Sequence, residues 1–219
     1  MSRERHRGLA LAEVILAAAI VIGHNVYHVV PNEVLVLLVV GAISLALRRQ
    51  SLRSIGFRSP SSWTQTILIA LATAVALQLI STYITEPVIA RFTHQRSDLS
   101  QFRDLVGNPV VALGWLVIVW TFAAFGEEFV YRGYVLNRMA ESAGGESRAW
   151  LFAVIATAAL FGIGHYYQGP TGMIDTAFSA LVFGGLYLWS GRNLWLPILA
   201  HGLSDTIAIV LIYAGLIAV

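Results

Sequence analysis

Val110-Val111-Ala112-Leu113-Gly114-Trp115-Leu116-Val117-Ile118-Val119-Trp120-Thr121-Phe122-Ala123-Ala124-Phe125 carries no charge and runs directly into Gly126-Glu127-Glu128-Phe129-Val130-Tyr131-Arg132-Gly133-Tyr134. The first part is apolar enough to enter a bilayer, and the second sets two carboxylates and a guanidinium immediately behind it. A charged side chain at mid-bilayer depth costs roughly 2.5–3.5 kcal/mol on insertion scales, so such groups persist where they do chemistry, carry transport or pair specifically. Two further polar groups, His165 and the pair His201 and Asp205, lie at the edges of other apolar runs.

The rest of the chain has the same membrane character. Its 219 residues are 57% hydrophobic and 12% charged, with a mean hydropathy of +0.72, against about 25% charged residues in soluble domains. One water-soluble core of this size does not bury that much apolar surface. The expected class is all-α, a polytopic transmembrane helical bundle with an intramembrane polar cavity. No linker divides the chain, so residues 1–219 are read as one membrane-embedded domain.

Seven apolar segments can be marked, at approximately 9–30, 33–47, 63–85, 110–126, 149–164, 174–190 and 194–217. A span takes about 20 residues, which makes the second, fifth and sixth short. Pro31, Pro87, Pro109, Pro170 and Pro197 fall at or near segment boundaries, where proline is tolerated. Arg3, Arg5 and Arg7 precede the first segment, and Arg48, Arg49, Arg53 and Arg58 follow the second, whereas residues 31–32 and 165–173 carry no arginine. The positive-inside rule then puts the N-terminus in the cytoplasm and, with seven spans, the C-terminus outside. Residues 91–108, with Arg91, Arg96 and Arg103, fit this topology least well. An eighth, re-entrant or interfacial element there would bring the count from seven to eight.

Composition also removes chemistries. Without cysteine there is no thiolate catalysis, disulfide or Cys-ligated metal. All fourteen basic residues are arginine, which excludes Ser-Lys dyads, Walker lysines and Schiff bases. The arginines are spread over several loops and form no dense patch, so no nucleic-acid partner is expected despite a pI near 9.2. There is no His-Glu-x-x-His, Gly-x-Ser-x-Gly, P-loop or dinucleotide fingerprint. The alanine-rich, lysine-free composition fits a bacterial plasma membrane.

Spacing orders the remaining polar residues. Glu128 and Arg132 are four apart, acid before base, and pair on one helix face. Glu127 lies about 100° around the helix and faces elsewhere. Phe161 and His165 share a face in Phe161-Gly162-Ile163-Gly164-His165, as do His201 and Asp205 in His201-Gly202-Leu203-Ser204-Asp205. A carboxylate one turn from a histidine can orient its ring and fix its tautomer, or bind something directly. His24 and His28 have the same spacing near the end of the first span and read as interfacial. A carboxylate with histidines supports water activation by a general base, with or without a metal.

In this order, Glu127-Glu128-Phe129-Val130-Tyr131-Arg132, Phe161…His165 and His201…Asp205 resemble the CPBP family of intramembrane endopeptidases, the CAAX-protease and bacteriocin-processing group also called Abi. The resemblance covers residues 127–205 and implies a catalytic core over approximately 110–217. It implies peptide-bond hydrolysis on a membrane-associated protein or peptide substrate inside the lipid bilayer. Glu127 would be the general base, helped by His165. Glu128 and Arg132 would order the site, and His201 and Asp205 would stabilise the oxyanion. The eukaryotic prenyl-protein member has asparagine where this chain has Asp205. Asn can donate a hydrogen bond and an ionised Asp cannot, which leaves three roles for Asp205: a protonated donor, a positioner of His201, or a metal ligand. Two cofactor readings stand side by side. In one, His165, His201 and a carboxylate hold a divalent metal such as zinc; in the other, favoured by the place of Glu127 on the low-dielectric side of a span, a neutral histidine and Glu127 share one water without metal. The non-peptidase alternatives are a catalytically silent immunity factor or scaffold and an ion-coupled transporter, the latter disfavoured by the absence of an internal repeat.

Overall fold

The computed structural model describes residues 3–219, with the side chain of residue 3 left aside. The described residues are helical and contain no strand, as expected where backbone polar groups must be satisfied within the segment in lipid. Six helices are long and apolar enough to cross a membrane: Glu4–Asn25, Trp63–Thr93, Pro109–Ser142, Ser147–Gly164, Tyr166–Trp189 and Trp195–Tyr213. A shorter apolar helix, Glu33–Leu47, accompanies them. Each of the seven apolar segments is thus a helix, and they run alternately up and down.

The individual elements are α1 (Arg3–Asn25), α2 (Glu33–Leu47), α3 (Trp63–Ile80), α4 (Glu86–Thr93), α5 (Pro109–Ile118), α6 (Leu136–Ser142), α7 (Ser147–Gly164), α8 (Gly169–Trp189) and α9 (Trp195–Tyr213). π-Helical stretches at Ser81–Thr85 and Val119–Val135 join α3 to α4 and α5 to α6 into two continuous rods. Asn32, Ser62 and Asn108 cap α2, α3 and α5 through their side-chain oxygens, satisfying amide groups that a helix start leaves open.

One expectation is corrected at the boundaries. Pro87 does not end the third segment but lies inside the Trp63–Thr93 rod. The ladder has already changed register there, with the Glu86 amide bonded to the Ser81 carbonyl, so the missing proline N–H interrupts a helix that is already locally loosened. The helix of the fourth segment continues past its apolar run to Ser142 and carries the charged motif within it, in line with the helical spacing of Glu128 and Arg132. Residues 94–108 supply no further span, only a short 3-10 turn at Ser100–Leu105.

α2 shapes the interior by being short. Its 15 residues extend about 22 Å at 1.5 Å per residue, against about 30 Å of hydrocarbon. Glu33, the first residue of α2, is buried although the turn before it is largely exposed. α7 and α8 approach closely where Gly162 lies against α8. A β-carbon at Gly162 would fall 2.5 Å from the Met173 carbonyl and 2.9 Å from Ala177, so only glycine fits. That contact fixes the end of α7 that carries His165.

Candidate active site

The Pro109–Ser142 rod brings the first motif into the interior at its π-helical stretch. Such i→i+5 segments are uncommon and concentrate at functional sites. Glu128 and Arg132 are both fully buried, and Arg132 Nη1 donates to Glu128 Oε1 at 2.8 Å. Arg132 Nη2 donates to the Ala180 carbonyl of α8 at 3.0 Å, and the guanidinium lies 5.0 Å and 5.5 Å from the Phe161 and Phe183 ring centres. Arginine suits this position because its planar fork can bond two acceptors while its faces rest on aromatic rings.

His201 joins the pair from α9. Its Nδ1 donates to Glu128 Oε1 at 2.9 Å, and its Nε2 lies 3.4 Å from Asp205 Oδ2. The ring stacks on Phe183, 4.9 Å between centroids. A carboxylate faces each ring nitrogen, and Glu128 is already held by Arg132. With all four groups ionised, Glu128, Arg132, His201 and Asp205 carry no net charge together, the condition under which buried charges are tolerated. Gly202 keeps this region tight: a β-carbon there would meet the Trp120 ring at 2.7–2.8 Å.

His165 caps the C-terminus of α7. Its Nδ1 lies 3.0 Å from the Phe161 carbonyl. A carbonyl only accepts, so Nδ1 carries the proton and, in the neutral ring, Nε2 holds the free lone pair. Phe161 is the hub of the site, with ring centres 4.7 Å from His165, 6.0 Å from His201 and 4.9 Å from Tyr131.

Glu127 faces a different way from Glu128, as its helix position requires. It lines a cavity of about 740 Å³ together with His165, His201, Ser204 and Asp205, within the size range of ligand-binding pockets. Glu127 Oε2 is closed off from the surface and makes no hydrogen bond among the described residues. Buried polar atoms are normally paired, and an exception asks for a functional reason. The structure therefore brings all six sequence candidates to one place: a paired cluster of four, with Glu127 and His165 beside it on the cavity wall.

Sequence reasoning did not anticipate several members. His24, read as interfacial, lines the cavity with Glu33, and the two pair at 2.9 Å through His24 Nε2 and Glu33 Oε2. His24 Nδ1 donates to the Val30 carbonyl at 3.0 Å, so the pair shares one further proton. Glu33 also reaches the far end of α7: a β-carbon on Gly164 would lie 3.8 Å from Glu33 Oε1 and 3.1 Å from the Tyr131 hydroxyl. His28 is exposed and does not line the cavity. Phe183, Trp120 and the Ala180 carbonyl were also missed, because no spacing rule links them to the motifs. The available signal was a histidine and a glutamate facing each other across one short turn between two apolar segments, His24 and Glu33.

The donor geometry does not assemble a metal centre. No trio of His, Asp or Glu side chains is arranged to hold an ion among the described residues; both His201 nitrogens face carboxylates, and His165 offers a single free nitrogen, Nε2. The residues do not fit the three-ligand arrangement of catalytic zinc. What they present to one cavity is a carboxylate and an imidazole lone pair, beside a second imidazole whose two nitrogens each face a carboxylate.

Residues 109–207 match the family model described as type II CAAX prenyl endopeptidase Rce1-like. The match bears out the resemblance to the CPBP/CAAX protease family drawn from the three motifs, and the matched stretch contains all six candidate residues. No curated protein and no solved structure matches the chain.

Proposed function

We propose that this membrane protein is an intramembrane endopeptidase that hydrolyses a peptide bond of a membrane-associated protein or peptide, with Glu127 as the general base. The observation that carries this reading is the Glu127 carboxylate, which lines one cavity with His165 and whose Oε2 is closed off from the surface with no hydrogen bond among the described residues. The family match over residues 109–207 supports the same reaction class.

In this mechanism a water sits between Glu127 and His165 Nε2. Glu127 takes one of its protons as the water oxygen bonds to the scissile carbonyl carbon, and the carbonyl π pair moves onto oxygen. His201, held protonated between Glu128 and Asp205, turns its Nε2–H from Asp205 to that oxyanion. Glu127 then delivers its proton to the amide nitrogen as the oxyanion pair re-forms the carbonyl and the C–N bond breaks, leaving a new amine and a new carboxylic acid, which gives up its proton to solvent water. Arg132 takes no part in bond changes; it holds the Glu128 oxygen that His201 Nδ1 also bonds, and so keeps His201 in place. Asp205 is a positioning residue that holds the Nε2 proton between turnovers. One preorganised oxyanion donor contributes about 2.7–4 kcal/mol to the transition state, and a positioned general base about 10²–10⁴ in rate.

The test compares new protein N-termini in membranes of cells making the wild-type chain or Glu127→Gln at equal insertion. Cleavage products found only with the wild type are expected and would identify the substrate. Indistinguishable profiles would contradict peptidase activity and favour a silent immunity or scaffold role.

A further inference from the structure

The ends of the bundle differ in charge, and the cavity reaches only one of them. At one end the connections 48–62 and 190–194 are tied together: the Leu194 amide bonds to the Gly56 carbonyl, and Asn193 Nδ2 donates to the Arg58 carbonyl at 2.9 Å. The same end holds a closed ionic cluster in which Arg48 bonds Glu13 and Glu141 at 2.7 and 2.8 Å, while Arg138 bonds Glu141 at 2.7 Å. At the other end the 94–108 connection lies over the α7–α8 junction, with the Asp98 amide bonded to the Gln168 carbonyl and Thr171 Oγ1 donating to the Gln95 carbonyl.

Arg3, Arg5, Arg7, Arg48, Arg49, Arg53, Arg58, Arg138, Arg148 and Arg192 belong to the first end; Arg91, Arg96 and Arg103 belong to the second; the remaining arginine, Arg132, is interior. Ten against three is a decided asymmetry under the rule that arginine and lysine mark cytoplasmic loops. The cavity wall draws on the second end alone: His24 and Glu33 from the α1–α2 turn, Ser81 near the end of α3, Gln101 from the 94–108 connection, His165, and Leu216 beyond α9. No residue of the connections 48–62, 143–146 or 190–194 lines it.

We propose that the active-site cavity opens on the face of the membrane opposite the cytoplasm, and that its substrate is a membrane-anchored polypeptide cut next to the outer leaflet. The substrate half of this statement rests on the peptidase reading above; the direction of opening does not. A cytoplasmic polypeptide would meet the arginine-lined end, where the Arg48–Glu13–Glu141–Arg138 cluster and the paired loops close the bundle. The wall combines Phe102, Trp115 and Phe122 with the polar groups of the site, which suits an extended segment with an apolar anchor. A spanning helix of about 30 Å has to unwind locally to enter.

The chain has no cysteine, so single cysteines report position without a background. Gln101→Cys at the cavity mouth, Ser204→Cys on its wall and Ser51→Cys at the arginine-rich end are expressed in a bacterial plasma membrane and exposed to a membrane-impermeant maleimide. Gln101→Cys and Ser204→Cys are expected to label from outside, and Ser51→Cys only after permeabilisation. Labelling of Ser51→Cys from outside, or of Gln101→Cys only after permeabilisation, would overturn the orientation. An unlabelled Ser204→Cys beside a labelled Gln101→Cys would overturn the opening. Labelling needs no turnover, so it separates from the peptidase test. Matching N-terminal profiles with outward labelling would sink the substrate assignment and leave the opening standing. New N-termini on the cytoplasmic side of substrate spans would overturn the substrate class directly.

Discussion

Glu127 and Glu128 are adjacent in sequence and opposite in circumstance. Glu128 accepts from Arg132 and His201 on one oxygen and is spent on structure, while Glu127 faces the cavity without a partner. The difference follows from one step around the helix, and it was legible in the four-residue spacing of Glu128 and Arg132. The role of Asp205 was not legible, because spacing alone allowed a donor, a positioner or a ligand. Its 3.4 Å approach to His201 Nε2 supports the positioner. Asp205→Asn keeps a carbonyl oxygen that can accept from Nε2, so its cleavage rate is expected to stay within about tenfold of wild type. Asp205→Ala, which removes the acceptor, is expected to lose about 10²–10³, the range seen when an oxyanion donor is disabled. Rates of both variants on one substrate check this, and equal rates for Asn and Ala would contradict it.

At the scale of elements, the helices were readable and their neighbours were not. Each apolar segment is a helix because hydrophobic length in lipid leaves the backbone no other solution. His201 reaching Glu128, Phe183 under His201, and His24 reaching the same cavity depend on which helices adjoin, which within-helix periodicity does not report. The continuation of the fourth helix through the charged motif was readable from the four-residue spacing of Glu128 and Arg132, whereas their partners on α8 and α9 were not. Glycine contacts make the packing testable. Gly202→Ala would drive a β-carbon into Trp120 and is expected to cost about 1–3 kcal/mol, as overpacking typically does, and to displace His201. Thermal unfolding in nanodiscs together with the cleavage rate measures both effects; an unchanged rate would show that the Trp120 contact does not position His201.

Over the whole molecule, the buried ion cluster and the arginine-rich end do different work. The cluster is neutral only while complete, so removing one cation leaves a buried carboxylate uncompensated. Arg132→Leu is expected to destabilise the protein by about 3–5 kcal/mol. Arg132→Lys should recover only part of this, since lysine lacks the planar fork that serves Glu128 and Ala180 together. Denaturation midpoints of both variants, read against wild type, decide the point. The active-site cavity keeps to the end opposite the arginine-rich one, and on the orientation proposed above that end faces away from the cytoplasm.

The central claim is that the Glu127 carboxylate activates the attacking water, and single-turnover cleavage by purified protein in nanodiscs tests it most directly. Glu127→Gln, nearly isosteric, is predicted to lower the cleavage rate by about 10²–10⁴ while leaving the unfolding midpoint and substrate affinity unchanged. Cleavage by Glu127→Gln at the wild-type rate would contradict the account.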